Sequence, residues 1–323
     1  MSYSRSAERA SAGTTANAEG ENPPLAAPLA PPRSFFGRVV VFLEMIKVGH
    51  TLFALPFALG ATFLAAGGIP EAGMLGKIVL AVLFARTAAM AFNRYIDRTI
   101  DSENPRTRDR AIPAGHLSAG FVLATVVVTA AAFIAISAWI GTLALALSPL
   151  ALVVLLGYSL TKRFTALCHF ALGAALALAP VGAWVAIRGR LDLEPWILGL
   201  AVLLWTAGFD ILYSTLDREF DEKRGLHSLP VSVGVKSALR TAAFLHLGMV
   251  GALVWLTVAL DLGGVFRWTL AAVAVVLVHE HRLVRPTDLT RVNRAFFLWN
   301  AVISVALCAA MIAEGLLSGG GTG

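Results

Sequence analysis

The residues of this 323-residue chain that could do chemistry together are carboxylates and amides, and they recur in one spacing. Asn93-Arg94-x-x-Asp97-Arg98-x-x-Asp101-x-x-Asn104-Pro105-Arg106-Thr107 puts Asn93, Asp97 and Asp101 at i, i+4 and i+8, which is one face of a helix. Pro105 disfavours the helical region for Asn104, so the helix is expected to end there. Further along comes Asp210-x-x-Tyr213-x-x-x-Asp217-Arg218-x-x-Asp221. Each element of Asp97-Arg98-x-x-Asp101 reappears in it 120 residues later. Such recurrence predicts two related helical halves, each bringing one carboxylate pair to a shared cavity. Oxygen donors with no His or Cys among them are hard ligands and suit Mg2+. Two facing pairs would each hold one ion and bridge a diphosphate, with nearby Arg and Lys neutralising the remaining charge. The plainer alternative is that local ion pairs with Arg94 or Arg98 account for these acids.

The elements that must position these residues are membrane spans. Hydrophobic residues are 57% of the chain and charged residues only 14%, so long apolar stretches alternate with short clusters of Arg, Lys and Asp. A soluble core of this size does not need repeated apolar runs of about 20 residues. The expected fold is all-α: a polytopic membrane protein of about nine transmembrane helices in one bundle with pseudo-repeated halves. The spans centre on 49–66, 75–95, 119–139, 142–160, 166–187, 196–216, 242–260, 266–280 and 296–316. The third and fourth are split around Gly141, and the eighth is short. Pro56 and Pro180 fall inside spans, where neighbouring helices can satisfy the freed carbonyls. The bundle occupies 34–317. Residues 1–33, rich in Ala, Ser, Pro, Glu and Gly, read as a disordered tail, and 318–323 as a flexible glycine-rich end. The tail lacks the apolar core and cleavage site of a signal peptide.

Charge sets the expected topology. The loops after the even-numbered spans hold Arg94, Arg98, Arg106, Arg108, Arg110, Lys162, Arg163, Arg218, Lys223, Arg224, Arg282, Arg285, Arg291 and Arg294. On the opposite side Arg188 and Arg190 are balanced by Asp192 and Glu194. Positive residues face the cytoplasm, so the N-terminus and the acidic mouth are expected there and the C-terminus outside. This placement explains the net charge of +6 without nucleic acid, for which no basic stripe interleaved with aromatics exists. Cys168 and Cys308 lie far apart in apolar runs, in no metal-ligand spacing. No nucleotide-binding glycine motif is present.

A lipid diphosphate fits this combination, its head at the acidic mouth and its hydrocarbon tail in membrane lipid. At this point the motifs resemble the UbiA superfamily of intramembrane aromatic prenyltransferases. Asn93-x-x-x-Asp97-x-x-x-Asp101 and Asp217-x-x-x-Asp221 are similar to its two aspartate-rich motifs, and Tyr158-x-x-x-Lys162-Arg163 and Arg110-x-x-Pro113-x-Gly115 match further family elements. The resemblance covers about residues 38–316. It implies Mg2+-assisted loss of diphosphate from a polyprenyl diphosphate and attack on the resulting cation by a small aromatic acceptor. Asp97, Asp101, Asp217 and Asp221 would then hold metal, assisted by Asn93. Arg106, Arg110, Lys162 and Arg163 would grip diphosphate or an acceptor carboxylate. Tyr158 and Tyr213 would stabilise the cation or bond the acceptor, and Asp210 would orient acceptor or metal.

The family resemblance implies 4-hydroxybenzoate as acceptor, on the route to ubiquinone, in a bacterial cytoplasmic membrane. The stretch 45–59 (MIKVGHTLFALPFAL) and Gly225-Leu226-His227-Ser228 also resemble relatives that serve menaquinone through a naphthoate. Two other functions compete with this one. Phosphatidyl-group transferases that use CDP-linked lipids share a compact Asp-x-x-Asp-Gly start, which Asp97 to Asp101 lacks. A transporter would carry inverted repeats with charge near the midplane, whereas these pairs repeat in one orientation at span ends. Among the histidines, His279 and His281 face apart on a helix and do not make a metal pair. Lys47 and His50 read as interfacial anchors or acceptor contacts, and His227 and Ser228 as a cavity closure. His169 and His246 read as satisfied interior histidines.

Overall fold

In the computed structural model, which describes residues 34–46, 53–284 and 298–319, the apolar runs are helices, and no strand occurs among the described residues. The 1–33 tail, Lys47, His50, Arg285, Arg291, Arg294 and the final 320–323 lie outside the described residues. The first helix, α1 (Phe35–Met45), was not anticipated. It is only 11 residues long, too short for a span, and Ser34 caps it by accepting from the Gly37 amide at 3.0 Å.

The spans follow as α2 (Leu55–Ala66), α3 (Ala72–Ile96), α5 (Ala119–Ile140), α6 (Thr142–Thr161), α7 (Cys168–Arg188), α8 (Glu194–Ser214), α10 (Leu229–Ala259), α11 (Gly264–Leu283) and α12 (Asn300–Gly319). Two short helices, α4 (Arg98–Glu103) and α9 (Arg218–Arg224), continue α3 and α8 beyond the spans. Seven of the described helices are long and apolar enough to cross a membrane. Described α2 is a shorter apolar helix, and α11 carries Arg267, Glu280 and Arg282 and is not among the seven. About nine spans is therefore an approximate count. Gly141 does separate α5 from α6, as expected. Pro180 is inside α7, but Pro56 sits in the first turn of α2, where its missing N–H breaks no bond.

Helix α8 is the axis of the bundle, packing along both α7 and α10; α2 bridges α7 and α12, while α3 packs on α5 and α6. Close approach at the α7–α8 seam depends on Gly173, whose added Cβ would stand 2.5 Å from the Leu203 carbonyl oxygen. The main core joins Trp205, Phe57, Phe53 and Phe209 to Met249, Ile303 and Met311. Phe57 and Trp205 rings lie 5.2 Å apart, and Trp205 meets Phe209 edge to face at 4.9 Å. This packing sits behind α8. On its other side α3, α5, α6, α7 and α8 surround open space.

Candidate active site

That space is a chamber of about 640 Å3. Its far end is apolar, walled by residues such as Phe133, Leu147, Leu176 and Trp196, while its mouth gathers both acidic motifs. The sequence pattern places each motif at the end of a span, and the backbone then turns at the same position in both. Asp97, after α3, has φ −90° and ψ 1°; Asp217, before α9, has φ −101° and ψ 2°. The continuous helix expected through Asp101 is therefore interrupted at Asp97, and a 3-10 turn, Thr215–Asp217, interrupts the second motif. Asp97 still receives a bond from Asn93 Nδ2 at 2.9 Å, and the Asp101 amide still reaches the Asp97 carbonyl at 2.7 Å. Both contacts keep the column together across the break. Helix α4 ends at Asn104 as expected.

Each of the four carboxylates faces a cation, and none of these partners is Arg94 or Arg98. Arg163 Nη2 lies 2.7 Å from Asp97 Oδ1, and Arg110 Nη1 lies 2.6 Å from Asp101 Oδ1. Arg106 grips Asp217 with two nitrogens, Nε donating to Oδ1 at 2.7 Å and Nη2 to Oδ2, and gives Nη1 to the Tyr213 hydroxyl at 2.8 Å. Asn104 Nδ2 adds a bond to Asp217 Oδ1 at 3.3 Å. Lys162 Nζ lies 2.8 Å from Asp221 Oδ2. The local ion-pair reading is thereby corrected: Arg94 turns to Asn93 Oδ1 and Arg98 to the Tyr95 carbonyl and ring, and the pairing cations come from elsewhere. Arg106 ties the loop after the first motif to the second, which joins the two halves across the mouth.

Burial and charge compete at these groups. Desolvation raises the Asp97 carboxyl above its usual range, and Arg163 offsets only part of that. Burial opposes the charge on Arg106, but its bonds to Asp217 outweigh that and raise its pKa. The same balance, set by burial against Asp221, raises Lys162.

No three His, Cys, Asp or Glu side chains among the described residues form a group that could hold an ion by themselves. The residues nevertheless fit Mg2+, which takes one or two carboxylates and completes its shell with water and substrate phosphate. Asp221 supplies the clearest sign. Its side chain is 1% exposed, Lys162 Nζ stands 2.8 Å from Oδ2, and Oδ1 has no hydrogen-bonded donor among the described residues. A buried carboxylate oxygen left without a donor is costly, and a metal ion bound beside Oδ1 would satisfy it.

Deeper in the chamber lies a second polar level that the sequence reading placed only in part. Tyr158 and Asp210 line it. Arg86, unmentioned by any motif, also lines it, with Nη2 donating to the Ile46 carbonyl at 3.3 Å. His169, read as an interior histidine, is buried but stands in the chamber wall, its Nδ1 2.6 Å from Asp210 Oδ2. Arg86 is seven residues before Asn93, which is the same helix face and the one signal that could have found it. His227 donates its amide to the Lys162 carbonyl at 2.8 Å, and the chamber lining reaches Leu226 but includes neither His227 nor Ser228. Ser228 is wholly buried as the N-cap residue of α10. His246 bonds His281 at 2.9 Å and His279 packs on Trp299, away from the chamber.

A helical membrane bundle with a lipid-sized chamber and two repeated acidic motifs at one mouth defines a class of intramembrane enzyme. The chain belongs to the UbiA prenyltransferase family, whose model matches residues 54–301. It is 34% identical to a 4-hydroxybenzoate octaprenyltransferase of Chromohalobacter salexigens, over 81% of this chain and 89% of that one. Among solved structures it is similar to the apo structure of a UbiA homolog from Aeropyrum pernix K1, at 33% identity and TM-score 0.75, covering 82% of this chain and 98% of that one. The fold is also shared with a UbiA homolog from Archaeoglobus fulgidus solved with GPP and Mg2+ bound, at 20% identity and TM-score 0.59, over 84% and 99% of the two chains.

Proposed function

We propose that this chain transfers a polyprenyl group from a polyprenyl diphosphate to 4-hydroxybenzoate, in a Mg2+-dependent reaction at the mouth of the chamber. The observation that carries this reading is the convergence of Asp97, Asp101, Asp217 and Asp221, from two repeated halves, on the head of an apolar chamber. Asn93 and the four aspartates would hold the metal, and the named prenyltransferase relative and the GPP- and Mg2+-bound fold neighbour support the assignment. Bound there, Mg2+ would neutralise the leaving diphosphate and assist its departure. Arg106, Arg110, Lys162 and Arg163 would exchange their carboxylate partners for diphosphate oxygens, each carboxylate being neutralised by metal in turn. The apolar wall from Phe133 to Trp196 would hold the tail and keep water from the cation. Tyr158 and Tyr213 present rings where positive charge develops.

The acceptor belongs at the second polar level, where Arg86 and Asp210 both line the chamber. Arg86 would offer the acceptor's carboxylate a charge-assisted bond and Asp210 would face its hydroxyl end. The mouth is read as cytoplasmic. Trp139, Trp196, Trp255 and Trp268, all exposed, mark the opposite end of the bundle as an interfacial belt, and the cationic loops flank the mouth.

Purified protein in detergent, given Mg2+ and a long-chain polyprenyl diphosphate, tests the assignment. Prenylated 4-hydroxybenzoate that disappears with EDTA is expected. Product only with 1,4-dihydroxy-6-naphthoate would move the chain to the naphthoate relatives, and no product or diphosphate release with either acceptor would remove the proposal.

A further inference from the structure

His169 has a geometry that neither the metal chemistry nor packing alone requires. It opens α7, reaches across to α8, and also meets the start of α10. Its Nδ1 lies 2.6 Å from Asp210 Oδ2, while the backbone N–H of Leu229 donates to its Nε2 at 3.2 Å. An N–H pointed at Nε2 needs a lone pair there, so the ring proton resides on Nδ1 and is donated to Asp210. The donor is fixed by the fold, because Leu229 is the first residue of α10 and its N–H has no partner within the helix. His169 is 2% exposed at its side chain and Asp210 26%. The imidazole is thus locked in the wall, while the carboxylate stands half-open on the chamber with Oδ2 taken and Oδ1 making no hydrogen bond among the described residues.

A carboxylate held in this way suits one step that the metal site does not provide. The C1–O bond of the prenyl diphosphate breaks and its electron pair leaves on diphosphate. A C–C bond forms to the ring carbon beside the acceptor hydroxyl. The hydrogen on that carbon must then leave as a proton for the ring to recover aromaticity; nothing is oxidised or reduced. We propose that His169 is a positioning residue that holds Asp210 with Oδ1 turned to the acceptor, so that Asp210 takes this proton. The inference rests on the prenyl-transfer reading, and it goes beyond that reading by assigning the proton's destination and the group that orients it.

Two variants separate this role from a merely structural one. In His169→Asn the amide nitrogen reproduces the Nδ1–H donor to Asp210 but loses the Leu229 acceptor. In His169→Gln the amide oxygen reproduces the Nε2 acceptor for Leu229 but does not restore the Nδ1 donor. With the acceptor the wild type uses, deuterated at the carbon that is prenylated, His169→Ala is expected to lower kcat about 10- to 100-fold, with KM for the prenyl diphosphate little changed. A primary isotope effect absent in the wild type is expected to appear, because proton loss becomes slow. His169→Asn should recover most of the rate and His169→Gln little. A rate loss with no isotope effect, or rescue by Gln instead of Asn, would overturn the proposal and leave His169 as a helix staple. A second readout does not depend on turnover. Nitrogen-15 spectra of histidine-labelled full-length protein, wild type minus His169→Ala, should show a neutral ring protonated at Nδ1. A ring protonated at Nε2 or at both nitrogens would overturn the proposal even if prenyl transfer is confirmed. An Nδ1–H ring in a protein that transfers no prenyl group to any acceptor would instead show that the functional reading failed, and the proton role would fall with it.

Discussion

Lys162→Met tests whether the mouth is built to exchange cations for metal. Asp221 is 1% exposed at its side chain and Lys162 is its one ion-pair partner among the described residues. Removing one member of a fully buried pair costs about 3–5 kcal/mol, because the other charge is left uncompensated. The Lys162 side chain is 35% exposed, so solvent screens part of the interaction and about 2 kcal/mol is a fairer figure. For a large domain that corresponds to a fall of about 4–8 °C in apparent Tm, followed by tryptophan fluorescence in detergent at one scan rate with EDTA present. Replacing both partners, Lys162→Met with Asp221→Asn, should return most of that loss, since no buried charge is then left alone. Saturating Mg2+ with inorganic diphosphate should also return most of it to the single variant, because an ion that binds only the folded state stabilises it by mass action. The reasoning is refuted if Lys162→Met melts like wild type in EDTA, or if its deficit is the same with and without Mg2+.

Three further outcomes follow from the geometry. Arg86→Ala should raise KM for 4-hydroxybenzoate about 10- to 100-fold, the equivalent of one charge-assisted hydrogen bond, while leaving the neutral analogue 4-hydroxybenzamide nearly unaffected in steady-state assays. Gly173→Ala should destabilise the bundle by about 1–3 kcal/mol by driving a Cβ against the Leu203 backbone, whereas Gly182→Ala, on the same helix with open space around it, should melt within about 1 kcal/mol of wild type. Burial raises the Asp97 carboxyl, so a bound ion must displace a proton held more tightly than on an ordinary carboxylate. The Mg2+ concentration for half-maximal activity should therefore climb as pH falls, beginning above the ordinary carboxylate value of about 3.9.

Span positions were legible in the sequence because hydrophobicity over about 20 residues is a local property, and the Gly141 break and the end of α4 at Asn104 were legible for the same reason. The spacing of Asn93, Asp97 and Asp101 and its echo at Asp217 and Asp221 were also local, which is why the acidic mouth could be read before any fold was seen. What lay hidden was tertiary. Arg163 meets Asp97 from 66 positions away and Arg106 meets Asp217 from 111, so a helix-face argument naturally offered Arg94 and Arg98 instead. The backbone break at Asp97 was invisible because Arg98 to Glu103 are as compatible with a helix as the residues before them. His169 reads as a packed interior residue in the sequence because its partner Asp210 is 41 positions away and its second partner is a backbone N–H. Helix α1 escaped because 11 residues give too short a window for a span.

The most direct measurement is prenyl transfer by Asp97→Asn and Asp217→Asn, one from each half, in protein shown to be inserted and folded. If both halves serve one metal-diphosphate site, each variant alone abolishes product and diphosphate release at saturating Mg2+. Full turnover by either would contradict a site shared by the two carboxylate pairs.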